Sequence, residues 1–116
     1  MTEIVLPWPP KELSPNSRRD RRHCTDQRRA YRDAGFYAAR DAGVLPTDAK
    51  RLHLAITFHA PDNRRRDLDN MLASIKSGLD GIATALGVDD SKWSLSIARG
   101  ETKKGGEVVI KVTEAA

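Results

Sequence analysis

The densest chemistry in the sequence is the run Arg64-Arg65-Arg66-Asp67-Leu68-Asp69-Asn70. Two carboxylates separated by one residue can converge on a single hard cation. Mg²⁺ suits such a pair, because it takes oxygen ligands, keeps several waters, and is usually held by one or two carboxylates plus phosphate oxygens. Three adjacent arginines are poor metal ligands and good phosphate clamps, since a guanidinium fork grips phosphate through two parallel hydrogen bonds. Carboxylates for a cation beside arginines for phosphates suit phosphodiester hydrolysis, in which the metal activates water and stabilises charge on the scissile group.

Two further groups extend this set. Asp89-Asp90-Ser91 follows about one long helix later. An intervening helix of roughly 18 residues is about 27 Å long, so only the tertiary return of the chain, or a second subunit, brings Asp90 to Asp67. Lys76 is two turns beyond Asp69, about 10 Å along a straight helix. A side chain leaning toward the helix N-terminus would carry its ammonium toward the acidic pair, where it could neutralise phosphate charge.

Plainer readings stand beside these. Asp67 could cap the helix, with Asp69 favoured by the macrodipole. Lys76 and Asp80 could form an ordinary i,i+4 surface pair. Asp89-Asp90-Ser91 could be a turn. The run Arg18-Arg19-Asp20-Arg21-Arg22 could be merely solvated, and Trp8 and Trp93 could be packing residues. His23, His53, His59 and Cys24 have no partner that would make any of them a base, ligand or nucleophile.

The elements that must position these groups can be read from periodicity. Residues 2–6 read as a strand ended by Pro7, and Pro7-Trp8-Pro9-Pro10 as an extended loop, because proline lacks the amide donor. Residues 11–24 are polar and Arg-rich and read as a loop. Thr25 or Asp26 caps a helix running to about Ala42, where Gly43 ends it. Residues 51–59 alternate, with Leu52, Leu54, Ile56 and Phe58 on one face, as a half-buried strand does. Leu68, Leu72, Ile75, Leu79, Ile82 and Leu86 lie on one stripe of a second helix, closed by Gly87. Trp93, Leu95 and Ile97 alternate, as do Val108, Ile110 and Val112, and Lys103-Lys104-Gly105-Gly106 between them is a hairpin signal. The order β-α-β-α-β-β predicts a small single-domain α/β (α+β) fold with two helices on a mixed sheet.

Composition bounds the rest. The chain has 116 residues, 39% apolar and 31% charged, with formal net charge +4. That suits one domain with one modest core. No apolar run approaches the ~20 residues of a membrane span. The N-terminus does not read as a signal peptide. The single cysteine excludes an internal disulfide and points to the cytosol. Charge is uneven: residues 1–66 hold 14 Lys and Arg against 8 Asp and Glu, net +6, and residues 67–116 hold 6 against 8, net −2. A basic front half beside an acidic motif points to a polyanion handled with carboxylates.

Three segments together resemble the RusA family, the Holliday junction resolvases of phages and prophages: Leu6-Pro7-Trp8-Pro9-Pro10, Arg65-Arg66-Asp67-Leu68-Asp69-Asn70, and Asp89-Asp90-Ser91. The resemblance runs from Ile4 to about Val112. It implies a homodimeric endonuclease of the bacterial cytoplasm, dependent on Mg²⁺ with Mn²⁺ as a substitute, that nicks four-way DNA junctions and leaves 5′-phosphate and 3′-hydroxyl ends. It assigns Asp67, Asp69 and Asp90 as catalytic, metal-holding carboxylates, with Asp89 in reserve. The family's lysine on the following helix falls here on Ala73. Lys76 stands one turn later and, with Asp80, keeps the Lys-x-x-x-Asp spacing. Arg66 matches a basic residue ahead of the first Asp, as a phosphate contact. Arg64 and Arg65, with Arg18, Arg19, Arg21 and Arg22 of the N-terminal loop, would track the DNA backbone. A C2 dimer supplies the two equivalent sites that paired nicks require. The competing expectations are a DNA-binding module without catalysis, or a metal-dependent nuclease for other branched DNA.

Overall fold

The computed structural model describes residues 2–15 and 24–115. The elements in order are β1 (Thr2–Pro7), a 3₁₀ turn (Lys11–Leu13), α1 (Thr25–Asp41), β2 (Leu52–His59), α2 (Leu68–Ser74), α3 (Lys76–Leu86), a second 3₁₀ turn (Asp90–Lys92), β3 (Trp93–Arg99) and β4 (Glu107–Glu114). Four strands form one mixed sheet in the order β1-β4-β2-β3. This is the mixed α/β fold expected.

β2 alternates buried and half-buried positions along its whole length. Its inward residues Leu54, Ile56 and Phe58 meet Ile4 and Leu6 of β1, Val108 and Ile110 of β4, and Ile75, Leu79 and Ile82 from the helices, in one apolar cluster. Burying each such side chain contributes roughly 1.5–3 kcal/mol. α1 lies against α3 at backbone distance: a Cβ on Gly35 would collide with the Gly78 carbonyl, and one on Gly81 with the Arg32 carbonyl. Tyr31 of α1 packs over Gly78 and donates its hydroxyl to Pro7 O at 2.7 Å, tying α1 to the end of β1. Pro7 belongs to β1 rather than ending it before the proline. β1 is an edge strand, where the missing N–H costs no ladder bond.

Three local expectations are corrected. The N-cap of α1 is Cys24, not Thr25 or Asp26; its buried Sγ reaches Glu12 O at 3.4 Å. The second helix is not continuous. It breaks at Ile75 (φ −99°, ψ 6°), whose N–H reaches back to Leu72 O at 3.2 Å, while Ser74 Oγ donates to Asn70 O at 2.8 Å. Such a hydroxyl bond to the i−4 carbonyl competes with the helical ladder and bends the helix. Lastly, Lys103–Gly106 is a tight turn with Gly105 and Gly106 at positive φ, but the strands it separates are not partners. β3 pairs in parallel with β2, whereas β4 inserts antiparallel between β1 and β2.

Candidate metal and phosphate site

The acidic motif sits where β2 gives way to α2, on a loop held from several sides. Asp62 accepts from the Arg64 amide at 2.9 Å, the short-range turn that an Asx side chain makes with the backbone two residues on. Arg66 Nη1 donates to Asp62 Oδ1 at 2.9 Å, to Asp62 O at 3.2 Å and to Arg64 O at 3.1 Å. Its guanidinium lies 5.6 Å over the ring of Trp8. Trp8 in turn meets Phe58 edge-on at 6.4 Å. From the end of β3, Arg99 Nη1 donates to Arg66 O at 2.5 Å. The Arg66 bond and the Arg64 amide hold the Asp62 carboxyl below the usual carboxylate range.

Arg66 is therefore chiefly a brace for the loop, with its side chain only 21% exposed. Arg64 and Arg65 are exposed. The only ion pair of Arg64 among the described residues is a 3.6 Å contact to Asp62, and Arg65 has none there. Trp8 is a packing residue, as its plainer reading had it.

Asp67 follows with extended backbone (φ −85°, ψ 138°) at the N-cap position of α2, yet its side chain makes no capping hydrogen bond. Asp69 lies in the first turn. Both are exposed, and neither has an ion pair among the described residues. Two carboxylates spaced by one residue thus stand, unpaired among the described residues, beside two exposed arginines. A cleft of about 500 Å³ opens here, lined by Trp8, Lys11, Arg64, Arg65, Asp67 and Asn70 among others.

The later acidic pair has divided roles. Asp89 caps the second 3₁₀ turn, accepting from Ser91 Oγ at 2.5 Å and Ser91 N at 3.4 Å, and those bonds hold its carboxyl low. Asp90 instead takes Lys76 Nζ at 2.7 Å, with Asp80 3.5 Å from the same ammonium. The bond to Asp90 raises the Lys76 ammonium above its ordinary value. The break at Ile75 makes Lys76 the first residue of α3 rather than a continuation of the helix bearing Asp69. So the i,i+4 pair of the plain reading exists. The approach of Lys76 to Asp67 and Asp69 expected of a straight helix is replaced by contact with Asp90.

Asp67 and Asp90 belong to opposite ends of β3. Asp67 adjoins Arg66, which Arg99 at the end of β3 holds, and Asp90 lies in the turn that leads into Trp93 at its start. The six steps between Trp93 and Arg99 span about 20 Å. Among the described residues no three His, Cys, Asp or Glu side chains converge as a metal-binding group. Arg18, Arg19, Arg21, Arg22 and His23 lie outside the described residues. His53 bonds Ser94 and Ser96, and His59 bonds Glu101 O. Among the described residues no helix is long and apolar enough to cross a membrane.

Sequence reading missed Asp62 and Arg99. Pro61-Asp62-Asn63 carries a turn signal that hints at the first. Nothing local hints at Arg99, whose part depends on β3 lying parallel to β2.

No family model matches the chain. An uncharacterized protein of Xylella fastidiosa is 43% identical, over 97% of this chain and 76% of its own length. The crossover junction endodeoxyribonuclease RusA of Escherichia coli strain K12 is 32% identical, covering 96% of this chain and 92% of its own. The protein of the same name from Enterobacteria phage HK97 is 31% identical, covering 97% and 93%.

Proposed function

Since the chain belongs to the RusA family of crossover junction endodeoxyribonucleases, we propose that it is a Mg²⁺-dependent nuclease that resolves four-way DNA junctions by paired, symmetric nicks. The observation that carries this reading is the state of Asp67. It occupies a helix N-cap without spending its carboxylate on capping, one residue from Asp69, which like it has no ion pair among the described residues. The donor set fits the cation: hard carboxylate oxygens, exposed, beside arginines suited to phosphate.

Asp67 and Asp69 would hold the metal. When bound, Mg²⁺ supplies Lewis-acid stabilisation of the charge that builds on the scissile phosphate and makes water a better nucleophile. Arg64 and Arg65 would grip the phosphates on either side, while Arg66, held by Asp62 and Trp8, keeps the acidic loop in register. Asp90, the third carboxylate, lies at the far end of β3. We assign it to the other protomer's site: Asp90 of the partner subunit would join Asp67 and Asp69, with Lys76 carried in beside it. β3 is an edge strand with Leu95 43% exposed on it, an apolar position that a second chain would cover. A C2 dimer then has two equivalent sites for the two nicks of a near-two-fold junction. The protein would act in the cytoplasm of a bacterial host.

Asp67→Asn tests the assignment. Asn serves an N-cap as well as Asp does, so the fold should hold. Junction cleavage should fall by on the order of 100-fold or more while junction binding in EDTA stays near wild type. Full activity in Asp67→Asn would overturn it.

A further inference from the structure

A second basic feature lies away from the arginines of the acidic loop. A cleft of about 600 Å³ opens at the N-terminal ends of β2 and β3, lined by Lys50, Arg51, Ser91, Lys92, Trp93 and Ser94 among others. Among the described residues no carboxylate side chain lines it. Lys50, Arg51 and Lys92 are all exposed, and none has an ion pair among the described residues. Lys92 also acts through space on Asp89, as the smallest of the influences that hold that carboxyl low. Both serines are engaged elsewhere, Ser91 Oγ with Asp89 and Ser94 Oγ with His53, so the cleft offers three cations against a half-buried tryptophan wall.

We infer that this cleft is a subsite for the DNA backbone phosphates next to the cut. The inference rests on the reading above, in which Asp90 serves at the scissile phosphate. Lys92 follows Asp90 by two residues on a 3₁₀ turn, about 4 Å along its axis at ~2.0 Å per residue. On a turn of three residues the two side chains diverge by about 120°, so Lys92 faces the backbone beside the phosphate at Asp90 rather than that phosphate itself, and Arg51 and Lys50, across the cleft, extend the same basic track along the arm. The contacts are to phosphate alone, so they position the junction without reading its sequence.

The test is junction binding by fluorescence anisotropy, in EDTA so that no strand is cut, from 50 to 200 mM NaCl. Wild type is compared with a Lys50→Ala/Arg51→Ala/Lys92→Ala triple variant and with Lys92→Gln. Each lost phosphate contact should remove about 3.5-fold of the affinity that wild type loses over that salt range, so the triple variant should flatten the curve by about 40-fold. Lys92→Gln should flatten it by a single contact. All three side chains are exposed, so the fold should survive; a misfolded variant would lose binding at every salt concentration, which Lys92→Gln guards against. Wild-type affinity and salt slope in the triple variant would overturn the inference. A flattened slope in the triple variant beside a wild type that never cuts junctions would refute the resolvase reading and keep the cleft as a DNA phosphate contact with no cut beside it. Wild type that cuts junctions beside a triple variant of unchanged slope would overturn the subsite alone.

Discussion

Lys76 and Asp90, fourteen residues apart in the chain, are joined by a 2.7 Å ion pair between the first residue of α3 and the turn that leads into β3. The same ammonium touches Asp80 one helical turn on. Lys76 thus sits between two carboxylates, one structural by position and one assigned to catalysis.

Replacing Lys76 with Ala separates its two roles. The pair is largely exposed, so thermal or urea unfolding should register a loss of only about 0.5 kcal/mol. The folded-state pKa of Lys76 is raised. Its contribution is therefore complete below the ordinary lysine value and disappears only as pH rises through the raised one. The stability difference between variant and wild type should stay level from pH 6 to 9 and shrink in strong alkali. Cleavage at saturating junction should fall by on the order of 100-fold, the effect of removing one positioned charge stabiliser. Wild-type cleavage in Lys76→Ala would confine this lysine to the surface pair.

The shared site makes a stoichiometric prediction. Asp67→Asn and Asp90→Asn should each be inactive alone. In a mixed dimer, one site combines the intact Asp67 of one chain with the intact Asp90 of its partner, and the other site carries both substitutions. Mixing the two variants under conditions of subunit exchange should restore nicking of one junction strand. If each chain completed its own site, the mixture would stay as inactive as its components.

How much of this was legible in the sequence depended on range. Leu52, Leu54, Ile56 and Phe58 announced β2 because a strand's period is local, and the stripe from Leu68 to Leu86 announced helix for the same reason. The helix break was not announced, because it arises from a Ser74 hydroxyl bonding the Asn70 carbonyl. Lys103–Gly106 did turn where its glycines said, but which strands pair across the sheet is decided by packing. β4 found β1 and β2 rather than β3. The acidic motif was legible as chemistry. Its support was not: Arg66 is held by Asp62 from four residues away and by Arg99, through the Arg66 carbonyl, from thirty-three, and the second contact exists only once β3 lies beside β2.

That brace has its own test. The Asp62 carboxyl is held below its ordinary value of 3.8 by Arg66 and the Arg64 amide. Its contribution is therefore present above that value and is lost as pH falls through the lowered one. In a Trp93→Phe background, the emission of Trp8, on which Arg66 stacks, should shift on acidification below pH ~3.8. Asp62→Asn should show the loosened emission already at pH 7, with a weaker response to Mg²⁺ in cleavage. Identical emission profiles for the two proteins would mean that Arg66 keeps its place without Asp62.

The central claim is tested most directly by cleavage of a synthetic four-way junction beside linear duplex of the same sequence, with Mg²⁺ and with EDTA, and with Asp69→Asn alongside. The expected result is paired nicks placed symmetrically in the junction alone, present with Mg²⁺ and absent with EDTA or in Asp69→Asn. Binding without cutting under every condition would contradict it and leave a DNA-binding module. Equal cutting of junction and duplex would contradict the junction preference and leave a general nuclease.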